Sequence, residues 1–61
     1  MTVMYTFDNV IEFNKQEFKE KIKYFDIKIV YCSYSFNNVL KLVFNKIITC
    51  DQELELLDIL Y

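Results

Sequence analysis

Sixty-one residues hold at most one small domain, and a chain of this size buries only about 60% of the surface its unfolded form exposes. A formal charge of −2, a pI near 4.9 and the absence of histidine exclude a strongly basic nucleic-acid-binding surface, the usual general base and the commonest metal ligand. Hydrophobic residues at 54% and aromatics at 18% exclude a disordered tail, so residues 1–61 are expected to form one small α+β domain that is short of area rather than of apolar material.

The first segment with a pattern is Tyr5-Thr6-Phe7-Asp8-Asn9-Val10-Ile11-Glu12-Phe13. An Asp-Asn pair between aromatic and β-branched runs predicts a hairpin, because two-residue turns need positive φ and Asn and Asp tolerate it best in a chain without glycine. A helix is expected next over residues 15–25, with Asn14 as N-cap and Glu17 three residues on. Its apolar residues Phe18, Ile22 and Phe25 form one narrow stripe, and Glu17 and Lys21 are spaced to pair along its surface.

A second hairpin is centred on Asn37-Asn38, which as a two-residue turn sets Phe36 opposite Val39, Tyr34 opposite Lys41, Cys32 opposite Val43 and Val30 opposite Asn45. That register collects Ile27, Ile29, Tyr31, Leu40, Leu42, Phe44 and Ile48 on a core face. Val30, Tyr34, Phe36, Val39, Val43 and Ile47 are left on the other face, which is also apolar. The last segment opens with Thr49 and Gln52 in capping-box spacing, and Asp51, Glu53 and Glu55 sit near the start, where the helix dipole favours carboxylates. Leu54, Leu56, Leu57, Ile59, Leu60 and Tyr61 spread over an arc of about 220°, against the roughly 100° stripe that packing on one sheet needs.

The order of elements is then β-β-α-β-β-α, in a small antiparallel sheet with two helices. The alternative, β-α-β-β-α, makes residues 2–13 one bent strand, because Val3, Tyr5, Phe7, Ile11 and Phe13 share a parity. Either sheet is expected to be completed by homodimerisation, through Leu56, Ile59, Leu60 and Tyr61 on the last helix with Tyr34 and Phe36 on the hairpin. The two turn segments also resemble each other. Tyr5–Phe13 aligns with Tyr34–Leu42 at an offset of 29, with four of nine positions identical.

Chemistry is sparse. Cys32 and Cys50 have no histidine to act as base or to complete a zinc site, and a redox role for Cys32 has no supporting motif. Asp51, Glu53 and Glu55 alternate around their helix and do not converge on a metal. Lysines 15, 19, 21, 23 and 28 are interleaved with Glu17 and Glu20, and there is no arginine, which argues against direct nucleic-acid binding. No glycine exists to bring backbone against a phosphate. Lys28, Lys41 and Lys46 interrupt every apolar run well short of the roughly 20 residues of a membrane span. No basic stretch, apolar run and cleavage site opens the chain, so the expected setting is a reducing cytoplasm with both thiols free.

The charge sums to −4 over residues 49–61 and to +2 over residues 14–28. Phe, Tyr, Met, Ile, Asn and Lys supply 32 of the 61 residues while Gly, Ala, Arg and Pro are missing, the signature of a very AT-rich genome, such as that of a phage or other mobile element of a low-GC bacterium. The expectation is a protein without enzymatic activity or cofactor: an inhibitor or adaptor that acts as a homodimer on a host protein, for instance one of a defence system. Asp51, Glu55 and Asp58 are the candidate partner-binding residues. The competing expectation is an acidic mimic of nucleic acid, or a small regulator, that occupies a basic nucleic-acid-binding groove.

Overall fold

The computed structural model describes residues 3–61. Strand β1 (Met4–Phe7) is followed by helix α1 (Lys15–Lys21), a single 3-10 turn at Lys23–Phe25, strands β2 (Ile29–Tyr34) and β3 (Leu40–Phe44), and helix α2 (Cys50–Leu60). The architecture is α+β, with β3 in the centre of the order β1-β3-β2 and antiparallel to both neighbours. The two outer strands are therefore parallel to each other, joined by the crossover that contains α1.

The hairpin expected at Asp8-Asn9 does not form, and strand structure after residue 7 ends there. Asn9 does take positive φ (58°), but the chain bends instead of returning along β1. Val10 turns inward to complete burial. Its N–H donates to the Asn38 carbonyl (2.9 Å), and the Tyr34 hydroxyl donates to the carbonyls of Val10 (2.5 Å) and Ile11 (3.1 Å). Backbone groups that a second strand would have offered to β1 are taken by the β2–β3 connection. The elements follow one another as in the alternative, β-α-β-β-α, but its first strand, expected as one bent strand over residues 2–13, ends at Phe7, and residue 2 lies outside the described residues.

The β2–β3 hairpin forms with a register one residue away from the expected one. Ser35 donates its N–H to the Val39 carbonyl (3.0 Å), Asn38 donates to the Ser35 carbonyl (3.1 Å) and Asn38 has φ 66°. This is a three-residue loop with the left-handed residue last, the commonest alternative to a two-residue turn. Tyr34 consequently pairs with Leu40, Ser33 with Lys41, Cys32 with Leu42 and Tyr31 with Val43. A one-residue slip exchanges faces, so Tyr34 and Cys32 join Leu40 and Leu42 on the core side while Tyr31 turns out. An irregularity at Val30 then lets Ile29 pair with Phe44 and point inward again.

Both helices cover that inner face. Phe7, Leu40, Leu42 and Phe44 from the strands pack with Phe18 and Ile22 from the α1 region, Phe25, Ile27 and Ile48 from connections, and Leu56 from α2. Phe44, Leu40, Leu42, Leu56 and Val10 are the fully enclosed residues, each contributing about 1.5–3 kcal/mol of burial. α1 begins where expected: Asn14 accepts from the Glu17 N–H at 3.1 Å. It ends at Lys21 rather than residue 25, because Ile22 leaves helical geometry (ψ 4°) and the 3-10 turn runs into a left-handed Asp26 (φ 53°). That turn brings Phe25 and Ile27 into the core. The ion pairs among the described residues are Lys23–Glu20 and Lys46–Asp26, both 3.3 Å and exposed, rather than Glu17–Lys21. α2 carries the full capping box, Thr49 and Gln52 each bonding the other's backbone N–H (2.9 and 3.2 Å). Among the described residues no helix is long and apolar enough to cross a membrane.

Candidate functional site

One face that the fold leaves largely exposed is the outer side of α2. At about 100° per residue the helix divides into two apolar stripes. The inner one is Leu56, fully enclosed, with Ile59 and Leu60 half-buried beside it. Gln52, on the same side, donates to the Phe25 carbonyl at 3.0 Å and pins the helix start to the 3-10 turn. On the opposite side stand Cys50, Leu54, Leu57 and Tyr61, all exposed, with Leu54 64% and Tyr61 63% accessible. Their spacing of four, three and four residues is the repeat of a helix-packing seam. The Tyr61 hydroxyl donates to the Asp8 carbonyl (2.5 Å), which fixes the end of the helix to the bend after β1.

Acid borders the outer stripe. Asp51, Glu55 and Asp58, the three candidate partner-binding residues, follow one another at i, i+4 and i+7, project along a single flank of the seam and are all exposed. Glu53 lies on the other flank. No cation occurs on this helix.

Of the six residues expected to form a homodimer face, Ile59, Leu60 and Tyr61 lie together, while Leu56, Tyr34 and Phe36 are placed apart from them. Leu56 has no accessible area for a partner, whereas Ile59, Leu60 and Tyr61 together line an open cleft of about 610 Å³ beside Ile11, Phe13 and Lys21. Tyr34 is half-buried against Phe13, ring centroids 5.4 Å apart, with its hydroxyl committed to the bend. Phe36 stands alone at the hairpin tip, fully exposed. Only Tyr61 belongs to the outer stripe. Leu54 and Leu57 are the residues missed: the width of the apolar arc on this helix pointed to a second face, but which leucines it held depended on the direction in which the sheet is packed.

The uncovered side of the sheet is the second exposed apolar region. Met4, Val43 and Tyr31 form a row across the three strands, with exposed Val30 beside it, and the neighbouring row Thr6, Lys41 and Ser33 is polar.

The thiols offer little chemistry. Cys32 is half-buried on the inner face, and burial pushes its thiol up, with Lys15 and Lys19 nearby only partly opposing the shift. A thiol held in its protonated form is a poor nucleophile. Cys50 opens α2 at the surface. Among the described residues no three His, Cys, Asp or Glu side chains gather as a metal site would require. Compared with protein-family models, curated proteins and solved structures, the chain matches none.

Proposed function

We propose that this chain is a non-enzymatic protein-binding module: an inhibitor or adaptor of mobile-element origin, working in the cytoplasm of a host cell, that self-associates and blocks a host protein. The observation that carries the reading is the second apolar stripe of α2, Leu54, Leu57 and Tyr61, exposed opposite the stripe that holds the helix to its own sheet. A helix of 11 residues needs one stripe to dock. A second one, bordered by carboxylates, is the surface of a helix made to lie between two bodies. Composition supports the origin.

The alternative, an acidic mimic of nucleic acid, draws on the alignment of Asp51, Glu55 and Asp58 along one flank. The two readings part on salt and competition. A mimic releases its target as salt rises and loses it to DNA, whereas a seam with leucines at its centre holds in salt that screens its acidic rim. The primary test is sedimentation velocity across the micromolar range at low salt. The expected result is a mass above that of the monomer, which falls to the monomer in the Leu54→Gln, Leu57→Gln double variant with circular dichroism unchanged. A folded wild-type monomer throughout that range overturns the self-association.

A further inference from the structure

We infer that the acidic leucine seam of α2 docks into a lysine-rimmed cleft on a second copy of the chain, so that self-association is head to tail. The inference rests on the reading of the chain as a self-associating module and names the two surfaces involved. The cleft, about 330 Å³, lies where α1 and its 3-10 turn meet the start of β2. Its walls are Lys19, Ile22, Lys23, Ile27, Lys28 and Ile29. The three isoleucines give it an apolar floor continuous with the core, and every charged side chain lining it is a lysine. Lys23 is drawn toward Glu20 at the surface, while Lys19 and Lys28 are in no ion pair among the described residues.

Charge selects the occupant. Taken as a heptad seam, Cys50, Leu54, Leu57 and Tyr61 occupy the core positions, and Asp51, Glu53 and Asp58 the flanking positions that face a partner helix. If α2 paired with α2 of another copy, a parallel arrangement would set Glu53 against the other copy's Asp58, and an antiparallel one would set Asp51 against it. Both are like-charge contacts across an interface, which cost stability. Two lysine-rimmed clefts face to face fail for the same reason. The unlike combination puts leucines over isoleucines and places carboxylates around ammonium groups, so apolar and charged parts match together. Such a contact is heterologous, and a joined pair retains one unused cleft on one copy and one unused seam on the other, so assembly continues until a ring closes or concentration limits it.

A mixing experiment tests this. One variant, Leu54→Gln with Leu57→Gln, loses the seam and keeps the cleft; the other, Lys19→Glu with Lys28→Glu, loses the cleft and keeps the seam. All four positions are exposed, and circular dichroism establishes that both variants fold. At a concentration where the wild type is associated, each variant alone is expected to sediment as a monomer, and an equimolar mixture is expected to give a 1:1 dimer and nothing larger. Self-association of the lysine variant by itself overturns the proposal in favour of α2–α2 pairing. A mixture that stays monomeric, while the wild type associates, also overturns it and leaves the binding-module reading standing. A wild type that is monomeric at every concentration removes both.

Discussion

The segments after Tyr5 and after Tyr34 carry related sequences, and each places the second residue of its turn pair, Asn9 and Asn38, in the left-handed region (φ 58° and 66°). Their outcomes differ. Around Asn38 the chain reverses and zips β2 onto β3; around Asn9 it bends once and runs on across the molecule. The corresponding phenylalanines part likewise, Phe7 buried beside Leu40 of β3 and Phe36 fully in solvent. Positive φ at the asparagine is thus a local property of the peptide, whereas reversal depends on whether the next residues find a strand to pair with. For residues 10–11 the available partners were the Asn38 carbonyl and the Tyr34 hydroxyl, both supplied by the other copy of the motif.

The comparison is broken most forcefully at the phenylalanines. Phe7→Ala is expected to cost about 3–5 kcal/mol, close to the whole stability of a domain this small, whereas Phe36→Ala stays within about 0.5 kcal/mol. Urea melts of the two variants, side by side, give the difference, and equal losses would mean that the motifs are used alike. The tyrosines come next. Tyr34→Phe strands the carbonyl of buried Val10 and is expected to cost about 1–3 kcal/mol, while Tyr5→Phe keeps the ring that packs 5.9 Å from Phe44 and changes stability by less than about 0.5 kcal/mol. Faster amide exchange at Val10 in Tyr34→Phe would locate the loss in the bend. The smallest effect sharpens the likeness instead: Asn9→Ala and Asn38→Ala should each cost about 1 kcal/mol, since alanine resists the left-handed region, and glycine at either position should restore it. Thermal melts that separate the two alanine variants widely would show that one turn is held by something other than its own backbone preference.

What could be read in the sequence was what local chemistry decides. Asn14 and Thr49 cap the two helices as their spacing to Glu17 and Gln52 indicates, because a cap is completed within four residues. Leu40, Leu42, Phe44, Ile27 and Ile48 are core residues as their alternation suggests. Register was not legible. A two-residue and a three-residue loop are both compatible with Asn37-Asn38, and the choice between them moves Tyr31 out and Tyr34 in. The arrest of α1 at Lys21 was also hidden, since Phe18, Ile22 and Phe25 fit one helical stripe; the 3-10 turn is set by the core's demand for Phe25 and Ile27 together. On α2 the excess of apolar arc was visible and its division was not. Which side of that helix faces the sheet follows from Leu56 entering the core with Leu40, Leu42 and Phe44, a tertiary fact that periodicity over 11 residues does not contain.

The strand order has a consequence in time. β1 is made first, yet its partner is β3, with Phe7 opposite Leu40 and Met4 opposite Val43. The β2–β3 hairpin closes over a loop of three residues, while β1 must wait for a contact that spans most of the chain, and such distant pairings are the slow ones. As the polypeptide leaves the ribosome, Phe7 and Tyr5 travel uncovered until their partners Leu40 and Leu42, 33 and 37 residues further on, have followed. This interval, more than the finished surface, is when the chain is most open to aggregation, and to capture by a chaperone.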